Sequence, residues 1–415
     1  MNVKVWMIIL FLAMVTLKLA LLWVKHTSAK NPIPANVADV YDSETYLKWQ
    51  AYHGERSRLE LVETLVSTVV MLVLLLFNTH HAMASLFGES QFALLYSVLF
   101  FQAAIDLLCG VPFSYISTMR IEEKYGFNRT TMKTFVRDQI IGFVVGVGLN
   151  CLFVLAIYLT HSWLGDGMVW LLAAFLCLFV LLANVLFPLL SRVQNKFTPL
   201  PEGTLREKLT DLLTRHGYQV KGIEVMDGSR RSSKSNAFFS GFGKQKRIVL
   251  YDTLLEAMDE DEICAVFAHE LGHGLHHDIP RLLGLACLNM VWTAVLAWLV
   301  VRTPDFSQAF GFADTNYGFA FLLLGTVLLP PVMQLWGLFT NYVSCKAEYA
   351  ADAQAVAEGH GEALVSALKK LGRENFSHLS PSKLVVALEY DHPPLSQRIA
   401  ALEKGMSASS SSSDQ

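Results

Sequence analysis

Residues 267–280 read FAHELGHGLHHDIP, placing four histidines and a glutamate within fourteen positions. His269 and His273 are four apart, so on a helix they project from one face, one turn apart. Glu270 lies beside them. This H-E-x-x-H spacing has specific mechanics: two imidazoles bind zinc, and the adjacent carboxylate takes a proton from the activated water. A catalytic zinc takes three protein ligands and keeps a place for water. The extended motif H-E-x-x-H-x-x-G-x-x-H is excluded, because the chain has His276 and Ile279 where it needs glycine and histidine. His276 and His277 follow too closely on the same helix to complete a tetrahedral site easily.

The remaining source of a third ligand is a carboxylate on another helix. The stretch SCKAEYAADAQAV (344–356) directly follows the last apolar run and carries Glu348 and Asp352, four apart. Alone, Glu348 would read as a surface carboxylate of an amphipathic helix. Taken with His269, Glu270 and His273, it reads as the third zinc ligand. Asp352, one turn later, can accept the spare N–H of a ligand histidine and fix its tautomer.

The elements that must position these residues lie among apolar runs. The 415 residues are 53% hydrophobic and only 17% charged, against about a quarter charged in soluble proteins. Runs near the ~20 residues needed to cross a hydrocarbon core fall at 4–24, 60–78, 92–110, 139–160, 167–190, 281–302 and 317–340. Glu60 and Glu63 stand at the start of the second, and Pro330 and Pro331 predict a kink in the seventh. Asp106, inside the third, is either a functional group or one that lies near the interface or pairs to a neighbouring helix. Loops 25–59 and 111–138 are rich in Lys and Arg, whereas 78–91, 161–166 and 303–316 have none. The positive-inside rule then puts the polar segments 191–280 and 341–415 together on the cytoplasmic side. The net charge of −3 argues against nucleic-acid binding. Six scattered cysteines give neither a disulfide framework nor a cysteine zinc site.

Within 191–280, TLREKLTDLLTRHG (204–217) predicts a helix capped by Thr204, with Glu207 three residues on and Gly217 as its stop. Short runs at 222–227, 236–241 and 247–255 predict strands, and a second helix is expected from Asp259 through His276. The fold class is therefore a mainly α membrane protein of seven spans with a small α+β zinc domain. It divides into 1–190 with five spans, 191–280 with the H-E-x-x-H helix, 281–340 with spans six and seven, 341–405 completing the zinc site, and a polar, disordered tail at 406–415.

Longer stretches carry a resemblance: PFSYISTMRIEEKYGFNRTT (112–131), NKFTPLPEG (195–203), DGSRRSSKSNAFFSGF (227–242), KRIVLYDTLL (246–255), HELGH (269–273), AEYAAD (347–352) and DHPPLSQRIAAL (391–402). Through them the chain resembles the type I CAAX prenyl proteases, integral-membrane zinc endopeptidases of the gluzincin type. The resemblance implies one zinc per chain on His269, His273 and Glu348, Glu270 as general base, and Asp352 as the carboxylate behind a ligand. It places His392 at oxyanion stabilisation and Arg398 at positioning or carbonyl binding. Alone, these would read as a turn residue and a surface charge. It also makes Asn236, Ala237 and Phe238 an edge strand that binds substrate, and it implies seven helices around a wet chamber. One departure is Cys345, followed by Lys346, where the family has arginine after Ser344.

The partners implied are the bilayer and a peptide or protein substrate, either a prenylated CAAX terminus or misfolded or stalled membrane proteins. A transporter with a regulatory zinc loop is the reading from another class, but it leaves Glu270 without a purpose and needs an internal repeat that is not visible. The compact chain, with neither a long lumenal insertion nor a dibasic retrieval signal, resembles bacterial members, implying the inner membrane. A eukaryotic member would sit in the endoplasmic reticulum.

Overall fold

A computed structural model describes residues 3–230, 237–240 and 245–413. Among them, six continuous helical stretches are long and apolar enough to cross a membrane: Val3–Ser28, Ser43–Leu76, Ala93–Tyr125, Met132–Leu186, Asp278–Arg302 and Tyr317–Ala357. The fourth contains the helix Met132–Leu164 and most of the helix Met168–Gln194, joined by a tight turn at Gly165–Gly167. Gly165 supplies a φ of 51°, which lets the chain turn without a loop. The seven expected passes therefore occupy six continuous stretches.

These helices outrun their apolar cores. The second begins at Ser43, where the Asp42 side chain accepts from the Thr45 N–H at 2.7 Å, so Glu60 and Glu63 fall inside it. In the last stretch, a wide π-turn at Leu324–Leu328 precedes a fresh helix, Leu329–Ala357. Pro330 and Pro331 thus sit in a first turn, where a missing N–H costs no hydrogen bond. Outer faces stay apolar and exposed, as at Leu108, Val144 and Trp170, which suits lipid. Asp106 accepts from Gln102 at 2.8 Å and, with Asp138 and Asn150, lines a cavity of about 450 Å³ between the membrane helices.

The α+β unit holds a four-stranded sheet of β1 (Phe197–Pro199), β2 (Gln219–Met226), β3 (Ala237–Ser240) and β4 (Gln245–Tyr251), in the order β1-β2-β4-β3. β2 pairs parallel with β4, whereas β1 and β3 run antiparallel to their neighbours. Ile248, Val249 and Leu250 are all buried, as an interior strand covered on both faces requires. Leu209, Leu212 and Leu213 of the helix Thr204–Arg215 share one core with Ile223, Phe267 and Leu271.

Three local expectations change. Gly203, not Thr204, caps the helix Thr204–Arg215, because the Thr204 hydroxyl donates to Glu260 at 2.5 Å instead. The run 247–255 leaves the sheet at Tyr251 and becomes the helix Asp252–Ala257. There the Asp252 carboxylate accepts from the N–H groups of Thr253 and Ser229, at 2.9 and 2.8 Å. The tail at 406–415, expected to be disordered, is helical as far as Ser413. Met406 anchors it by packing over Gly361, where an added Cβ would meet its sulfur.

A separate core of Trp49, Tyr52, Tyr125, Phe127, Phe376 and Ile399 ties the bases of the membrane helices to the C-terminal helices. It fixes the peptidase unit against the membrane part.

Candidate active site

The helix Glu260–Leu275 begins with a capping box: the Asp259 side chain accepts from the Glu262 N–H at 2.9 Å, and Glu262 accepts from the Asp259 N–H at 3.0 Å. Glu262 also accepts from Ser366 at 2.7 Å and Lys370 at 2.6 Å, which pins the start of the helix to Gly361–Glu374. Its far end stops at His276, and His277 takes a left-handed φ of 56° that turns the chain into the membrane helix Asp278–Arg302. The later two histidines therefore end and turn the helix.

Between these ends, His269 and His273 face the helix Leu329–Ala357. His269 Nε2 lies 3.5 Å from Glu348 Oε2, and His273 Nε2 lies 3.3 Å from Glu348 Oε1. Ligand atoms of a tetrahedral zinc with bonds of about 2.0–2.1 Å would be roughly 3.3 Å apart. Glu348 Oε2 is buried and accepts no hydrogen bond, although the Arg398 guanidinium lies at ion-pair distance, so it keeps an acceptor site that a metal ion would use. One ligand atom from each of the three residues falls within 4.8 Å of the others. Two imidazoles and a carboxylate are the donor set of a catalytic zinc. The residues fit the ion.

Each imidazole has its other nitrogen engaged. His269 Nδ1 lies 2.9 Å from Asp352 Oδ1, the contact expected of Asp352. His273 Nδ1 lies 3.1 Å from Asp278 Oδ2, a contact the sequence reasoning missed. Each Nδ1 can then carry the proton, leaving Nε2 free to coordinate. The spacing of Asp278, five residues beyond His273, was visible, but only the turn at His277 aims it back.

Arg398 grips Asp352 with two bonds, Nε to Oδ2 at 2.9 Å and Nη2 to Oδ1 at 2.6 Å, and its Nη1 lies 3.3 Å from Glu348 Oε2. Its contacts run to the two carboxylates beside the histidines. His392 Nε2 lies 3.2 Å from Glu348 Oε1, while its Nδ1 meets Asp391 at 2.8 Å. That Asp391 bond raises the His392 pKa above its ordinary value against burial, favouring a cationic donor. Burial pushes the Glu270 carboxyl above its usual range.

His269, Glu270, His273, Glu348, His392 and Arg398 line one cavity of about 650 Å³, which Ala237 of β3 also reaches, whereas Asp278, Asp352 and Asp391 stand behind them. β3 is one of the sheet's two edge strands among the described residues. Asn236 lies outside the described residues, and Phe238 lies on β3, paired with Val249. Neither residue at the family's arginine position reaches the ligands: Cys345 Sγ lies 3.8 Å from the Tyr390 carbonyl, and Lys346 covers the Tyr342 ring.

A bundle of membrane-crossing helices carrying a paired-histidine, carboxylate-closed site defines an integral-membrane metallopeptidase. The chain belongs to Peptidase family M48, which residues 199–405 match, while residues 23–192 match the CAAX prenyl protease N-terminal family with five membrane helices. It is 33% identical to the CAAX prenyl protease 1 homolog of Oryza sativa subsp. japonica, covering 91% of this chain and 92% of that one. With CAAX prenyl protease 1 of Saccharomyces cerevisiae it shares 28% identity over 90% of this chain and 89% of the other. The crystal structure of S. mikatae Ste24p superposes with a TM-score of 0.85 at 27% identity, over 96% of this chain and 98% of that one. These relatives are eukaryotic and lend the expected bacterial source no support.

Proposed function

We propose that this metallopeptidase uses one zinc ion on His269, His273 and Glu348 to cut prenylated CAAX-type C-termini at the cytoplasmic side of a membrane. The observation that carries the reading is the buried Glu348 Oε2, which accepts no hydrogen bond and is set 3.5 Å from one imidazole Nε2, with the other imidazole against its second oxygen. When bound, zinc would supply Lewis-acid polarisation of the scissile carbonyl and a more acidic water. Glu270 takes the proton of the attacking water and passes it to the leaving amine. His392 donates to the developing oxyanion, and Arg398 holds Asp352, and through it His269, in place. The substrate lies extended along β3 around Ala237 and Phe238 and adds a strand through its backbone, with Asn236 as a further substrate-binding residue.

Prenyl specificity draws support from the names of the relatives, CAAX prenyl protease 1. The cytoplasmic side draws it from the Lys- and Arg-rich loops 25–59 and 111–138. A bilayer-embedded site lets a lipidated peptide reach the metal without leaving the membrane surface.

The test incubates zinc-loaded protein with a farnesylated CAAX peptide and an unprenylated membrane-protein fragment, followed by mass spectrometry. Preferential release of the last three residues of the farnesylated peptide is expected. Equal cleavage of both would replace this reading with membrane-protein quality control. Glu270→Gln should keep zinc and lose cleavage.

A further inference from the structure

Two cavities meet at one loop. Asn375, His378 and Tyr390 line both the active-site cavity and a second, of about 640 Å³, that reaches the ends of the first two membrane helices. The loop between them is firmly held. Phe376 takes a left-handed φ of 51°, which non-glycine residues adopt rarely. Its carbonyl accepts from Trp49 Nε1 at 3.0 Å and lies 2.9 Å from His53 Nε2. The Tyr41 hydroxyl lies 2.9 Å from the carbonyls of Gly372 and Ser377. Trp49 and His53 of the second membrane helix, with Tyr41 just before it, thus fix the wall between the cavities.

Within this clamped loop, Asn375 Oδ1 is buried and has no hydrogen-bond partner. A buried amide oxygen left so is costly unless something else supplies a donor. His378 does not: its Nδ1 accepts from the Ser380 N–H at 3.2 Å, so its proton sits on Nε2, 3.1 Å from Ser28 Oγ. Beyond the throat, Lys25 pairs with Glu389, and Arg56 donates to Ser117 at 2.6 Å and lies 3.4 Å from Glu122. Glu60 follows Arg56 by one helical turn on the same wall. Lys30 is the wall's one lysine or arginine with no ion pair among the described residues.

We propose that the second cavity receives the leaving segment of the substrate, with its free C-terminal carboxylate against Lys30 and its backbone passing Asn375. The inference rests on the prenyl-peptidase reading above. A peptide terminus offers both groups a partner, the buried Asn375 Oδ1 and the exposed Lys30 ammonium. A backbone N–H satisfies Asn375 Oδ1, and the carboxylate gives Lys30 a charge-assisted partner.

The experiment compares kcat/KM for two farnesylated CAAX peptides that differ only in a C-terminal acid or amide, using the full-length zinc-loaded protein. The acid should be preferred by about tenfold, chiefly through KM. Lys30→Met should bring the acid-to-amide ratio near one, and Asn375→Ala should raise KM with little loss of kcat. Equal use of acid and amide by the unaltered protein, or a ratio indifferent to Lys30→Met, overturns this inference and leaves the peptidase reading standing. Cleavage of neither peptide overturns both.

Discussion

Gly272 lies directly against Ala351, so close that a Cβ added at Gly272 would come within 2.8 Å of the Ala351 Cα. This contact sets how near the helix carrying His269 and His273 comes to the helix carrying Glu348 and Asp352. Backbone cannot yield as a flexible side chain does, so Gly272→Ala must push the two helices apart. A shift near 1 Å at a reacting centre costs on the order of 100-fold in rate. The variant should bind zinc more weakly and lose most hydrolysis while its circular dichroism stays helical. Unchanged zinc titration and turnover would show that the close approach does not position the site.

Asp278 should matter as much as Asp352, although only the latter was expected from sequence. Each meets the Nδ1 of one ligand histidine, at 3.1 and 2.9 Å. Removing such a partner costs roughly 10- to 100-fold in metal affinity or activity. Asp278→Asn and Asp352→Asn, titrated against a competing chelator, should each weaken zinc by that range. A wild-type affinity for Asp278→Asn would reduce Asp278 to a helix-terminal carboxylate bonded to Arg281.

What the sequence disclosed follows the range of the forces involved. The H-E-x-x-H pair is local, fixed by one helical turn, and Asp259 marks the start of that helix with its capping box. Glu348 and Asp352 were legible as an i, i+4 pair on a second helix. Their approach to the histidines depends on the Gly272–Ala351 contact, which no spacing encodes. Asp278 escaped notice because its aim depends on the left-handed His277. β1 escaped because three residues ending in proline carry no periodic signal, and its partner β2 lies some twenty residues on. The apolar runs located the membrane helices but not their ends, since Ser43–Leu76 continues as a polar helix beyond any hydrocarbon core.

Arg398 offers a test of geometry against charge. Its fork holds both oxygens of Asp352, and a lysine would keep the charge but not the two parallel bonds. Arg398→Lys should lower zinc affinity about tenfold and lower kcat further, with Asp352→Asn adding less than its separate effect because both act on His269. Full additivity in a double-mutant cycle would place the two residues in independent roles.

Glu262 connects the site to pH. Burial opposes its charge, but Lys370, Ser366 and the Asp259 N–H outweigh that cost and hold its carboxyl below the usual range. A depressed native pKa means the stabilisation is fully present above the unfolded value of about 4.3 and fades as pH falls through the lower native one. Glu262→Gln removes the charge at every pH, loosening the start of the zinc helix by about 1–3 kcal/mol near neutrality. Thermal melts should therefore show a clear gap between variant and parent at pH 7 that narrows steadily below pH 4. A gap that stays constant with pH would mean that hydrogen bonding alone, with no contribution from the ionised carboxylate, holds Glu260–Leu275 to Gly361–Glu374.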